Sequence, residues 1–583
     1  MNGAILLLVG LVWFGLAYFI YSKFIAKRLG VDPERPTPAH TMRDGVDYVP
    51  AHPVVLYGHH FAAIAGAGPI VGPVLASEFG WAAVALWILL GCVFIGSMHD
   101  MVTLFLSVRH EGKSIGSVIE DVLGRSGKMM FLMFCFSALV LLLAVFTGQV
   151  ADAFVSNPEV ATSSLLGIVE AAIFGICVYK WHWSVKVASF VFVPLLFFLV
   201  WFGVMFPCDL QHLFGISAAA AKNVWVIVLF IYCFIASTLP VWLMLQPRDY
   251  LNSYLLYAML AIGLVAVFCV APHFNINAFS GFAVAAAKDG GKSTLYLFPL
   301  LFVTVACGAC SGFHALVASG TTSKQLDNER HIRPVGYGCM LLEGVVALLS
   351  LIAVAWHSQA DLANGLAQGK PVVMFAQGLA SFCAKIGLPE KTSESFMLLA
   401  VAAFLMTSVD ACTRLGRFIW QELWSTATAG ASDEQKQTQS SAFVRLNKNK
   451  YFATTVVVAV GVYLLVFNPE MSKNLWTMFA SANQMLASLT LLTASLWLFK
   501  KHLTWWFAFL PMCFMILTSG AAVFQLFLQN LSKWMEKGFA AGGVTTIGSA
   551  VLFCLAVTLV VLGLRRLRKI LKNKILQKIV KKS

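Results

Sequence analysis

The chain has 583 residues, of which 59% are hydrophobic and 12% are charged. Soluble proteins average about 25% charged residues, so this composition excludes an ordinary soluble enzyme, a disordered chain and a small disulfide scaffold. The formal charge of +14 does not indicate nucleic-acid binding, because nine of the 41 Lys and Arg residues lie in the acid-free segment from Arg565 to Ser583. What remains is an all-α polytopic membrane protein.

Fifteen apolar runs are long enough to cross a bilayer core of about 30 Å. Their approximate limits are 4–25, 54–76, 82–107, 129–150, 162–179, 187–206, 223–244, 253–271, 296–320, 337–356, 396–412, 453–467, 475–498, 503–528 and 544–564. The connections between them alternate in Lys and Arg content, and cytoplasmic loops are rich in these residues. We therefore predict about 15 transmembrane helices, with the N-terminus outside and the C-terminus in the cytoplasm.

The run at 54–76 differs in composition from the other apolar runs. Four glycines and two prolines occur between Gly58 and Pro73, and both residue types disrupt a helix. Discontinuous helices of this kind mark the binding sites of secondary transporters, although small residues also permit close helix packing. Gly66, Gly68 and Gly72 are therefore candidate substrate-binding residues.

A second unusual segment extends from Cys307 to Thr322. It contains an intramembrane histidine and several hydroxyls, from which Ser311 and Ser319 are taken as candidate substrate ligands. Its pattern Gly-x-His-x5-Gly repeats the one that begins at Gly58, which is compatible with an inverted repeat or with chance. A single CxxC motif with no second pair favours packing over metal binding, so we predict no metal and no cofactor.

Ionisable groups at membrane depth are functional candidates, because they are costly there unless paired or hydrated. Histidine can change charge near pH 6.5, which is what proton coupling requires. The candidates for proton or ion coupling are His59, His60, Asp100, His314 and Asp410. For Asp410 the favoured structural explanation is an ion pair with Arg414, which lies four residues later on the same helix face. Glu170, Glu343, Asn483 and Gln484 are further polar groups within apolar runs.

The run at 223–244 contains Ser237, Thr238 and Pro240 near its end. A proline within a span predicts a second helix break. Ser237 and Thr238 are therefore added to the candidate substrate-binding residues.

Five strings together resemble the carbon starvation protein A (CstA) family, and the resemblance runs from about residue 40 to about residue 490. The strings are Asp44–Pro50, Gly58–Pro73, Gln246–Tyr250, Cys307–Thr322 and Thr407–Arg414. The resemblance implies an inner-membrane secondary transporter for peptides and pyruvate. It also implies a core resembling the five-plus-five inverted-repeat (APC/LeuT-like) fold, in which the first and sixth helices are broken. Counting from 54–76, the sixth helix is 223–244.

On this basis the chain is expected to contain six regions. These are an extra N-terminal transmembrane helix (1–30), a cytoplasmic loop (31–53), a ten-helix transporter core (54–415), a polar cytoplasmic loop (416–452), additional C-terminal transmembrane helices (453–564) and a basic cytoplasmic tail (565–583).

We predict a secondary active transporter, not an enzyme, that imports pyruvate or short peptides across the bacterial cytoplasmic membrane under carbon starvation. The absence of a nucleotide-binding Gly-x4-Gly-Lys-Ser/Thr motif favours coupling to an ion gradient. The ion is expected to be H⁺, with Na⁺ as the alternative, and the oligomeric state stays open. The expected partners are the substrate, the ion and the lipid bilayer, with no nucleic acid. The alternative functions are a haem-binding redox protein and a nutrient sensor.

Overall fold

The computed structural model describes residues 1–45, 48–240, 243–287, 294–428, 442–466 and 469–580. The centre of the predicted polar loop (429–441) and the last three residues of the predicted basic tail lie outside these ranges. The described chain is almost entirely helical, as its composition predicts. One short antiparallel ribbon pairs β1 (Ala283–Ala285) with β2 (Thr294–Tyr296).

The first nine helices precede this ribbon. They are α1 (Gly3–Leu29), α2 (Pro53–Ile64), α3 (Gly68–Ala76), α4 (Trp81–Arg109), α5 (Ile115–Ser156), α6 (Pro158–Tyr179), α7 (Val185–Met205), α8 (Ala218–Thr238) and α9 (Leu245–Val270). Ten more follow the ribbon, and shorter helical turns in the connections are left unnumbered. They are α10 (Leu297–Val305), α11 (Phe313–Val317), α12 (Glu329–Ala355), α13 (Gln359–Ala367), α14 (Pro371–Lys385), α15 (Glu390–Thr428), α16 (Lys450–Val466), α17 (Pro469–Lys500), α18 (Trp506–Lys537) and α19 (Phe539–Val580).

Twelve of the described helices are long and apolar enough to cross a membrane, by length and composition: α1, α4–α9, α12, α15 and α17–α19. The pair α2 and α3, bent by 42°, would make 13 if it is one span. The other two predicted runs correspond to the broken segment that contains α10 and α11, and to the shorter apolar helix α16. The count of about 15 crossings stays a prediction.

The helices sort into an interior set and a peripheral set. Every residue in the most apolar stretch of α17 is buried, and α12 and α15 are nearly as enclosed. By contrast, α7 exposes large apolar side chains such as Phe190, Phe198 and Trp201. In a bilayer these exposed side chains of α7 face lipid.

Candidate functional site

The first helix break falls where the glycines and prolines predict it. Helix α2 ends at Ile64 and α3 begins at Gly68. Between them the amide of Gly66 donates a hydrogen bond to the carbonyl of Ile64 at 2.8 Å, which turns the chain sharply. The break lies in the interior, because all residues from His60 to Val74 are buried.

The glycines of this segment permit a close approach to other helices. A Cβ at Gly68 would lie 2.5 Å from Cys307 Sγ, and one at Gly72 would lie 2.6 Å from the Val305 carbonyl oxygen. A Cβ at Gly66 would lie 2.8 Å from Ser408 Oγ. Close packing therefore accounts for all three glycines, and their role in substrate binding stays a prediction.

The second break separates α10 from α11 and packs against the first. It includes Ala306, whose φ of +35° is outside the helical range. Two side chains of α17 satisfy its backbone: Asn483 Oδ1 accepts from the Phe313 amide at 2.8 Å, and Gln484 donates to the Cys310 carbonyl at 2.7 Å. Asn483 Nδ2 also donates to Ser311 Oγ at 3.0 Å, so this candidate ligand belongs to the cap of the break.

A fully buried network of histidines and carboxylates lies beside the two breaks. One oxygen of Asp100 lies 2.8 Å from His99 Nδ1, and the other lies 2.7 Å from His314 Nδ1. The opposite ring nitrogen of His314, Nε2, lies 3.3 Å from Glu343 Oε2. These four side chains are 0% exposed. The candidates Asp100 and His314 are therefore in direct contact, and Glu343 extends their network.

His60 reaches the second broken segment from the first. Its Nδ1 lies 2.8 Å from Thr322 Oγ1, and its Nε2 is buried without a hydrogen-bond partner in the described chain. His99 Nε2 is likewise without one. Since imidazoles and carboxylates exchange protons readily near neutral pH, the network has the chemistry to carry a proton through an otherwise apolar region.

The segments that carry this network contain π-helical turns. Helix α4 contains a π-helical segment, Cys92–Gly96, just before His99, and α12 contains another, Arg333–Gly338, before Glu343. A third, Ala318–Thr322, follows α11. Segments of this kind occur frequently at functional sites.

One group of side chains in the network has the atom types of a metal site. Single ligand atoms of Cys307, His314 and Glu343 lie within 4.8 Å of one another. Within the group, the Cys307 thiol lies 3.4 Å from Ser311 Oγ, and His314 Nε2 lies 3.3 Å from Glu343 Oε2. We interpret the group as part of the polar network.

A second buried cluster surrounds Asp410 on α15. Asp410 Oδ2 accepts hydrogen bonds from Arg248 of α9 and, at 2.5 Å, from the Tyr232 hydroxyl of α8. The predicted ion pair with Arg414 is wrong: Arg248, 162 residues away in sequence, is the partner. The next residue, Asp249, lies 3.3 Å from Nδ1 of the candidate His59, which links this cluster to α2.

The predicted break at Pro240 is also wrong as a break within a span. Helix α8 ends at Thr238, and Pro240 lies in the connection to α9. Arg414 donates to the carbonyls of Ala236 and Leu239, and so satisfies the carbonyl end of α8.

The two hydroxyl candidates at this end of α8 have structural partners. Thr238 Oγ1 donates to carbonyls of its own helix, and Ser237 Oγ lies 3.5 Å from Thr454 Oγ1 of α16. Arg417 donates to the Ser237 carbonyl. On α15, Arg417 follows Ser408 by nine residues, which is about 13 Å along the helix. Ser408 is the residue that lies beside Gly66 of the first break. The structure therefore places Ser237 and Thr238 apart from the first break.

The candidate Ser319 has a structural role as well. Its hydroxyl donates to the Ala315 carbonyl and accepts from the amide of Ile115 at the start of α5. Glu170 of α6 lies outside both clusters, and its buried carboxylate has no hydrogen-bond partner within the described ranges.

Sequence reasoning left Arg248, Tyr232 and Glu343 out of the candidate site. Glu343 was visible as an intramembrane carboxylate, and Arg248 lies in the string Gln246–Tyr250. The sequence gives no comparable indication for Tyr232, because a tyrosine in an apolar run is usually a packing residue.

Comparison with known proteins agrees with the resemblance noted in the sequence. The chain matches the family model described as "Carbon starvation protein CstA" over residues 2–367 and 359–522. It is 33% identical to the peptide transporter CstA of Campylobacter jejuni, over 86% of this chain and 77% of that protein. It is 31% identical to the pyruvate/proton symporter BtsT of Escherichia coli, over 88% of this chain and 80% of that one.

Among solved structures, the chain aligns with the Eremococcus coleocola manganese transporter in complex with an aromatic bis-isothiourea substituted compound. The TM-score is 0.46 at 11% identity, over 90% of this chain and 99% of the other. From its family match and its two relatives, the chain belongs to the carbon starvation protein CstA family and is a multi-pass membrane transporter.

Proposed function

We propose that this transporter is a proton-coupled symporter that brings pyruvate or short peptides into the bacterial cell across the cytoplasmic membrane. One relative is named a peptide transporter and another a pyruvate/proton symporter. The observation that carries the proposal is the buried network of Asp100, His314 and Glu343, which lies beside two helix breaks that pack against each other. Ionisable groups next to discontinuous helices are typical of a coupled transport site.

We further propose a five-plus-five inverted-repeat core in which α2–α3 and the segment containing α10 and α11 are equivalent elements, so that two of the six helices between them, α4–α9, lie outside the repeat. Both are broken, both carry the pattern Gly-x-His-x5-Gly, and the histidine of each pattern is fully buried. This pairing replaces the expectation that α8 is the second broken helix, because α8 ends before Pro240.

The proton is favoured over sodium by the types of residue in the site. Sodium sites are built from oxygen ligands, as are those of other hard cations, whereas the buried network contains several imidazoles. The haem alternative is disfavoured because the relatives are named as transporters.

Uptake into proteoliposomes tests the proposal. Labelled pyruvate and a labelled dipeptide are added with and without an inward proton gradient, in sodium-free and sodium-containing buffer. We expect the gradient to accelerate uptake and sodium to have no effect. In Glu343→Gln, which keeps the side-chain shape but not the titratable group, the gradient should no longer accelerate uptake.

The matched control is Asp361→Asn. Asp361 is an exposed carboxylate at the start of α13, where its Oδ2 accepts a hydrogen bond from the Ser358 hydroxyl, and its substitution should leave the gradient effect unchanged. Gradient-insensitive uptake by the wild-type protein would contradict proton coupling, and uptake of neither substrate class would contradict the proposed function as a whole.

A further inference from the structure

Two adjoining cavities lead from the surface into the bundle between α6, α7 and α15. The outer one, of about 420 Å³, reaches the exposed residues Leu388 and Thr392 near the start of α15. The inner one shares Ser163 and Leu399 with it and ends at Arg248 of α9. The two cavities thus lie side by side, and the inner one reaches a buried cation.

The inner cavity is narrow. Its volume is about 20 Å³, which is close to the space that one water molecule needs. A larger ligand would therefore reach Arg248 only when α6 and α7 move away from α15. Movements of this kind between packed helices are the basis of alternating access in transporters.

Arg248 presents unused hydrogen-bond donors to this cavity. Its hydrogen bonds both use Nη1, one to the Tyr232 hydroxyl at 2.5 Å and one to Asp410 Oδ2. Nε and Nη2 have no hydrogen-bond partner in the described part of the chain. Ser164 lines the same cavity, and its hydroxyl is buried without a partner there. The inner cavity therefore contains a guanidinium edge and a hydroxyl that have no hydrogen-bond partner in the described part of the chain.

The chemistry of these groups selects for a carboxylate. Nε and one Nη of a guanidinium lie side by side in a plane and match the two oxygens of a carboxylate group. The residues that line the inner cavity, as far as the structure describes them, include no acidic side chain that would compete for this edge.

We infer that the Nε–Nη2 edge of Arg248, with the Ser164 hydroxyl, binds the carboxylate group of the transported substrate. The inference rests on the proposed function and adds which part of the substrate is recognised: the carboxylate of pyruvate, or the C-terminal carboxylate of a peptide. Asp410 and Tyr232 are positioning residues here, because they hold the guanidinium through Nη1 and leave the other edge free.

This carboxylate site lies close to the first helix break. Asp410, which binds Arg248, follows Ser408 by two residues on α15, and Ser408 contacts the chain at Gly66. On the other side, Asp249 contacts His59 of α2. Asp249 and Asp410 therefore link the site to α2 and to the helix that packs against the first break.

The test compares acids with their uncharged amides on the full-length protein purified in detergent. Bound labelled pyruvate is displaced by pyruvate, pyruvamide, a dipeptide and the same dipeptide with a C-terminal amide. We expect the wild-type protein to bind each acid at least about tenfold more tightly than its amide, as expected for hydrogen bonds to a charged group. Arg248→Lys keeps the charge but loses the planar fork, and should weaken acid binding by about tenfold.

Arg248→Gln alone leaves Asp410 without its partner, and the protein can then fail to fold. The double variant Arg248→Gln/Asp410→Asn removes both charges together, and its elution profile and thermal unfolding are measured in parallel. In this variant the preference for acids over amides should fall to about onefold. A folded double variant that keeps the wild-type preference would overturn the inference.

The matched control is Arg109→Gln/Glu329→Gln. It removes a partly buried Arg–carboxylate ion pair, with Arg109 Nη2 and Glu329 Oε2 2.9 Å apart, that does not line either cavity. Its acid preference should equal that of the wild type, and an equal loss in the control would overturn the assignment to Arg248. If the wild-type protein transports these acids but the double variant keeps the preference, only the inference fails. If the wild type neither binds nor transports them, the proposed function fails as well.

Discussion

Asp100 joins two histidines through a single carboxylate, and it does so without any exposure to solvent. An asparagine at this position has no charge and offers one acceptor oxygen instead of two, so His99 and His314 can no longer both donate Nδ1–H to it. Breaking a buried charged interaction by removing one partner typically reduces the free energy of unfolding by about 3–5 kcal/mol.

Asp100→Asn should therefore lower the midpoint of thermal unfolding in detergent and remove the acceleration of uptake by a proton gradient. Asp152→Asn serves as the control for stability. Asp152 forms an exposed ion pair with Lys222, and such pairs contribute about 0–1 kcal/mol. Asp100→Asn with unchanged unfolding and unchanged gradient dependence would refute the role assigned to this carboxylate.

The partners of single charged residues were the least predictable feature of the site. The spacing of Asp410 and Arg414 predicts a pair on one helix face, but the carboxylate binds Arg248 of another helix and Arg414 binds carbonyls of α8. Sequence spacing reports neighbours on the same helix only. Contacts between helices depend on rotation and packing, which one sequence does not reveal.

At the scale of elements, the two breaks pack directly against neighbouring backbone, which is possible because glycine has no side chain. A Cβ at Gly72 would meet the carbonyl oxygens of Val305 and Thr304 at 2.6 and 2.7 Å, and one at Gly312 would meet the backbone of Asn483 and Ala487 at 2.4 Å. Real Cβ atoms essentially never lie that close to other heavy atoms. Because the obstacles are backbone atoms, a side chain at either position would force whole segments apart.

We therefore expect Gly72→Ala to lower the thermal unfolding midpoint and to reduce uptake severely, since overpacking typically costs about 1–3 kcal/mol. Gly15→Ala in α1 is the matched control, because a Cβ there would have no atom within 4 Å. That control should be neutral or slightly stabilising, as alanine favours a helix by about 1 kcal/mol over glycine. Similar behaviour of the two variants in both assays would contradict the close packing of the breaks.

The breaks themselves were predictable where glycine and proline are dense, as between Gly58 and Pro73. The prediction failed at Pro240, since a proline just after a helix end and a proline inside a span give the same local signal. The sequence also did not predict that α17 stabilises the second break. Asn483 and Gln484 stood out as polar residues in an apolar run, but only the structure shows that they satisfy the backbone of the second break.

For the whole molecule, the apolar runs predict the positions of the helices well, because a backbone in lipid must satisfy its hydrogen bonds internally. The short helices α13 and α14 were missed, since neither is long enough to give a membrane-span signal. Orientation depends on the distribution of Lys and Arg and stays a prediction. Reporter fusions test it: a fusion before Met1 should report an external location and one after Ser583 a cytoplasmic location. Two reporters on the same side would contradict the odd number of crossings.

The central claim is that substrate and proton enter together through the site that the two breaks and the buried network form. The most direct measurement records the pH inside proteoliposomes as pyruvate or a dipeptide is added outside, with no gradient imposed beforehand. We predict acidification of the interior that follows the uptake of labelled substrate and disappears in Glu343→Gln. Uptake of the substrate at the same rate without any acidification would contradict the account.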